Sequence, residues 1–302
     1  MLPRAALGVA LLCCSACKSP EESHMKAIIG AVLIDGQGGP PVSNSVVVVA
    51  EGRIRAAGPG SVVPIPSEAD KIDGSGRYLT PGLVDVYPRE DPSTNLTTGH
   101  TSSEQARSRV AELVRNKAQA IHLWNLNDLE PGAAEAALEA ARKENLPVFA
   151  HQWGLKDVEF LTRNGVSVFV GMFGDHDQPH PDLVAKLRDL HILFAPALGK
   201  PGTERNQNTL RLFQAGVPLG LASGGRDPIR ELELLSEAGV PPLDAIVAGT
   251  RNGAVALRQD QERGTILAGK RADLLLVSAN PGEDIRNLRK VVLRMVDGEW
   301  VR

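Results

Sequence analysis

His122, in Ala120-Ile121-His122-Leu123-Trp124, and His151, in Phe149-Ala150-His151, each close a short apolar run. Neutral imidazole at such a place can ligate a metal ion or relay a proton. A third histidine, His176, lies between Asp175 and Asp177 in the polar stretch GDHDQPH. With the two imidazoles drawn from neighbouring strand ends, that loop has the ligand types for a divalent ion such as zinc. The simpler reading of the same residues is a polar pocket in which the histidines are merely hydrogen-bonded. Tyr87 and Arg89 follow another apolar run, GLVDV. A guanidinium grips carboxylates and phosphates through paired hydrogen bonds, so Tyr87, Arg89, His122 and His151 together would suit a small acidic ligand.

Other chemistries are excluded more easily. The three cysteines, Cys13, Cys14 and Cys17, all lie near the start of the chain, which leaves no disulfide framework and no thiol nucleophile for the folded part. The net charge is −3, aromatic residues make up 4%, and no basic run occurs, which argues against a nucleic-acid partner. No glycine-rich phosphate loop is present, and Ser223-Gly224-Gly225 is not a nucleophile elbow.

These side chains need a scaffold, and 302 residues with 42% hydrophobic content can supply one large domain with a small companion. Both ends read as β: residues 26–35, Ser45–Ala50 and Arg53–Ala57 at the start, and Gly264–Ile266, Ala272–Val277, Lys290–Val296 and Glu299–Val301 at the finish. Glu51-Gly52 and Asp297-Gly298 are hairpin signals. Between the ends, strand-like runs at Gly82–Val86, Gln119–Trp124, Pro147–Ala150, Val166–Val170, Ile192–Ala195 and Val217–Ala222 are interspersed with helical ones. The helices are expected at Ser103–Asn116, Gly132–Glu144, Leu155–Asn164, Pro181–Leu190, Thr203–Ala215 and Ile229–Ala238. Such a succession predicts an α/β fold with a parallel sheet of about six strands.

Three stretches resemble the amidohydrolase superfamily, in its imidazolonepropionase and prolidase-like branch. They are YLTPGLVDV (Tyr78–Val86), PVFAHQ (Pro147–Gln152), and the run from ELELLSEAGVPP through GTILAGKRADLLLVSANP to VDGEW. The resemblance implies a TIM-like (β/α) barrel over residues 81–261, with a small β-sandwich built from residues 26–80 and 262–302. It also implies metal-dependent hydrolysis of C–N bonds, including dipeptide-like amides, by one or two zinc-like ions. Mapped onto that pattern, the histidine pair expected after the first barrel strand is Tyr87 and Arg89, and the bridging lysine of the fourth strand is His122. His151 keeps its ligand type, the sixth-strand histidine falls at Val170 or Gly171, and the aspartate of the last strand falls at Gly224. Arginine stays protonated and repels a dication. The family metal site is therefore expected to be lost, with no cofactor in its place.

The barrel is also expected to be incomplete or distorted, since residues 81–261 fall short of the roughly 250 residues such barrels take. The polar stretch after Tyr87 carries no strand pattern, so the second and third strands are expected to be missing and a sheet edge left open. Three functions remain open: a degraded, ligand- or partner-binding pseudoenzyme; an active hydrolase with a rearranged metal site around His122, His151 and His176; and an assembly protein that dimerises across the sheet edge. Residues 1–17 resemble a bacterial lipoprotein signal peptide, ending Ser15-Ala16-Cys17, with Cys17 as the lipidated residue. That places the protein in the cell envelope, touching the membrane only through its lipid anchor. The alternative is a cytoplasmic product started at Met25.

Overall fold

The computed structural model describes residues 25–87, 94–96, 101–151, 154–173, 177–196, 198 and 204–301. The chain opens with β1 (Lys26–Leu33), β2 (Val42–Ala50), β3 (Arg53–Pro59), β4 (Asp70–Asp73) and β5 (Tyr78–Pro81). Helix α1 (Ser103–Arg115) leads to β6 (Ile121–Leu123), α2 (Ala133–Lys143), β7 (Val148–Ala150), α3 (Leu155–Arg163), β8 (Val168–Val170), α4 (Pro181–Asp189) and β9 (Leu193–Ala195). Then come α5 (Glu204–Gln214), α6 (Pro228–Glu237), α7 (Pro242–Val247) and α8 (Gly253–Ala256), joined to α7 by a π-helical turn at Ala248–Asn252. The chain closes with β10 (Leu274–Val277), β11 (Val291–Val296) and β12 (Glu299–Val301).

Both chain ends enter one sheet, in the order β12-β11-β10-β5-β1-β2-β3, with β4 also paired to β1. Its core draws Ile28, Val47 and Leu79 from the first part and Leu274, Leu276 and Met295 from the last. The two hairpin signals form turns in which both residues have positive φ: 53° at Glu51 and 73° at Gly52, 48° at Asp297 and 77° at Gly298. The turns pack back to back, so closely that a Cβ on Gly298 would come within 2.7 Å of the Gly52 Cα. Two differences from the sequence reading stand out. Strand β4 is polar (DKID) and pairs in parallel with β1, so no local alternation announces it. Gly264–Ile266 is not a strand: its Ile266 N–H donates to the carbonyl of Asp35, just past the end of β1, at 2.9 Å.

The second sheet is parallel, in the order β6-β7-β8-β9. Single backbone bridges continue it on one side, from Phe194 to Leu219 and from Leu221 to Asp85. Four of the six expected strands form, while Gly82–Val86 and Val217–Ala222 meet the sheet only at these single bridges. The polar stretch after Tyr87 also supplies a segment: Asn95 bridges His122 in parallel, and the Leu96 N–H donates to the His122 carbonyl at 2.9 Å. One buried apolar residue, Leu96, anchors it, too little to register as a pattern. Alternation divides the sheet residues between two cores. Ile121, Leu123, Val148, Phe169 and Phe194 pack against the helices, while Ala120, Phe149, Val168, Leu193 and Ala195 fill the opposite side with Val84 and Val86. The six expected helices are all found, with ends displaced by a residue or two. Ser102 and Gln105 form a reciprocal cap at the start of α1.

Candidate functional site

Carboxyl ends of parallel strands carry exposed backbone groups and outward-pointing side chains, and ligands gather there. In this protein that end presents His122 from β6, His151 just after β7, Trp124 just after β6 and Tyr87 after the Asp85 bridge. His122 Nδ1 lies 2.8 Å from His151 Nε2, and both residues are buried. One of those nitrogens must carry the hydrogen and the other the lone pair, so the contact holds while the pair shares a single proton between the facing atoms. Burial, and next the neighbouring His122, push His151 down to about 3, which keeps it neutral at ordinary pH.

Rings enclose the pair. Trp124 stacks on His151 with centroids 4.3 Å apart and planes 14° from parallel. Tyr87 stands edge-on to His151 at 4.8 Å and tilted to His122 at 5.5 Å. The Trp124 indole N–H donates to Asn95 Oδ1, tying the bridged segment to the rim. Gly224 completes the group: its N–H donates to the Tyr87 carbonyl at 2.7 Å.

Beneath the rim lies Asp85, whose Oδ1 accepts from the Tyr87 N–H at 2.9 Å and the Ser223 N–H at 3.1 Å. Burial raises its pKa, against the lowering effect of these bonds. Another buried acid, Glu231 on α6, pairs with Arg226 at 3.0 Å, and burial raises it too.

Of the residues singled out from sequence, Tyr87, His122, His151 and Gly224 are thus brought together. Arg89, His176 and Cys17 lie outside the described residues. Trp124, Asn95 and Asp85 were missed as site residues. Trp124 had a usable signal, since two positions after His122 on a strand is the same face. Asn95 and Asp85 depend on partners distant in sequence.

Among the described residues the donor set falls short of what the zinc-like ions implied by the resemblance would need. A catalytic zinc takes about three protein ligands. Here the two imidazoles direct nitrogens at each other, a tyrosine stands where a histidine is expected, and a glycine where an aspartate is. Among the described residues no group of three His, Cys, Asp or Glu side chains is placed to hold a metal.

Residues 180–301 match the model of the amidohydrolase family. Imidazolonepropionase of Caulobacter vibrioides is 30% identical over 132 residues, which are 42% of this chain and 30% of that protein. Imidazolonepropionase of Methylobacterium nodulans is 33% identical over 70 residues, 23% of this chain and 16% of that protein. The matched stretches therefore span less than a third of these relatives. Among solved structures, molinate hydrolase superposes with a TM-score of 0.79 at 17% identity, over 93% of this chain and 95% of that one. Ochratoxinase of A. niger superposes with a TM-score of 0.77 at 17% identity, over 92% and 96%. These structures share the fold.

Proposed function

Starting from a chain of the amidohydrolase superfamily, we propose that it has left metal-dependent hydrolysis behind and binds a small acidic ligand at the rim formed by Tyr87, His122, His151 and Gly224. The observation that carries this reading is the 2.8 Å imidazole–imidazole contact under the Trp124 ring. A dication between the two nitrogens would have to break that hydrogen bond and find further ligands nearby. We take the parallel sheet as a shortened barrel of the superfamily's type, and the sheet from both chain ends as its composite companion domain.

The test is elemental analysis of protein purified without chelators, alongside His151→Ala. The expected result is no stoichiometric zinc or manganese in either. Zinc near one equivalent, lost in His151→Ala together with cleavage of a dipeptide such as Ala-Pro, would overturn the reading. That outcome belongs to the alternative of an active hydrolase with a rearranged site on His122, His151 and His176. What favours the alternative is the convergence of two ring nitrogens on one point. The pairing of Leu96 with His122 weighs against assembly through a bare β6 edge, because that edge already has a partner.

We further propose that Cys17 carries a lipid that holds the protein at the cell envelope. Labelling with radioactive palmitate should mark the wild type and not Cys17→Ala.

A further inference from the structure

Among the described residues no backbone bridge joins residues 84–87 to 94–96 or to β6, which leaves a seam between these described segments. A cavity of about 620 Å³ occupies the seam. Tyr87 and His122 line it at the rim end, and Leu257 and Arg263 come from the loop after α8. That loop also reaches across the gap, where Gln259 Nε2 donates to Gln119 Oε1 at 3.3 Å. Leu83, Leu113 and Ala120 give the cavity apolar walls, and its volume suits a small organic ligand.

The charges around it are unbalanced. Arg263 is half-buried, its Nε has no hydrogen-bond partner, and among the described residues no carboxylate pairs with it. Asp273 is engaged by Arg271 at 2.5 Å. A second cation, Lys117, lies exposed at the cavity mouth. The acid on the cavity wall, Asp85, turns its oxygens to the N–H groups of Tyr87 and Ser223. Asp273 is the counter-charge within reach of Arg263, and it is shared with Arg271; a ligand carboxylate would satisfy the buried Nε–H with two parallel hydrogen bonds.

We propose that the seam cavity binds a small monocarboxylate with an apolar body: the carboxylate rests on Arg263, and the body runs along Leu83, Leu113 and Ala120 toward Tyr87 and His122. This goes beyond the reading of the rim as an acid-binding site, because it assigns the ligand's one charge to Arg263 and only its apolar body to the end formed by Tyr87 and His122.

The test is calorimetric titration with 4-phenylbutyrate and its neutral amide, 4-phenylbutyramide. Wild-type protein is expected to bind the acid at least ten-fold more tightly than the amide. Arg263→Gln should erase that preference, and Arg263→Lys should keep most of it. Ala120→Trp, which fills the cavity, should abolish binding of both. Circular dichroism melts report whether each variant is folded; should Arg263→Gln fail to fold, Ala120→Trp and the acid–amide comparison in wild type decide. Equal affinity for acid and amide, no binding of either, a preference that survives Arg263→Gln, or full binding by Ala120→Trp would each overturn the assignment. Elemental analysis judges the metal-free rim separately: zinc at the histidine pair would sink that reading and leave the Arg263 result to stand or fall by itself.

Discussion

At the scale of single residues, His151 has the largest consequence for behaviour in solution. Its proton affinity is that of an ordinary histidine, near 6.5, in the unfolded chain and falls to about 3 in the folded one. Between those values the unfolded chain takes up a proton that the folded chain refuses. The contribution of His151 to stability is therefore complete above 6.5 and drains away as the pH falls toward 3, by up to about 1.4 kcal/mol per pH unit. Urea unfolding of wild type and His151→Phe from pH 7 down to pH 4 isolates this effect. The stability of wild type relative to the variant should decline over that interval, and a pH-independent difference would remove the claim that burial holds the imidazole neutral. The two histidines could be picked out from sequence because each ends an apolar run. Their mutual hydrogen bond could not, since it depends on the stagger of two neighbouring strands.

At the scale of elements, helices and hairpins were legible because their signals are local. Ser102 with Gln105 marks the start of α1, and Glu51-Gly52 and Asp297-Gly298 fix two tight turns. Elements whose pairing lies far away in sequence were not: β4 beside β1, and the segment 94–96 beside β6. The close packing of α8 was equally hidden. A Cβ on Gly253 would lie 2.4 Å from the Val84 carbonyl oxygen, backbone that cannot swing aside. Gly253→Ala should therefore destabilise the protein by more than about 2 kcal/mol, seen as a lowered urea midpoint at unchanged slope. A shift below about 0.5 kcal/mol would mean that α8 can slide off the strand at little cost.

At the scale of the whole molecule, strands from both chain ends enter one sheet. Strand β5 lies between β1 and β10 and runs on directly toward Asp85 and Tyr87. Removing residues 262–302 takes away Leu274, Leu276 and Met295 from the core they share with Ile28 and Leu79. The shortened chain should show no cooperative melt by circular dichroism; a sharp transition like that of the full chain would show that the remainder folds unaided. The same arrangement bears on how the protein is made. Translation delivers Leu79 early, but Leu276, which pairs with it across the sheet, comes almost last. Until then the growing polypeptide has a bare strand edge and unsheltered apolar side chains, the state in which nascent chains stick to one another and call on chaperones. A premature stop codon ahead of Leu274 would leave that edge without its neighbour for good, and the product would go to proteases rather than survive as a weakened protein.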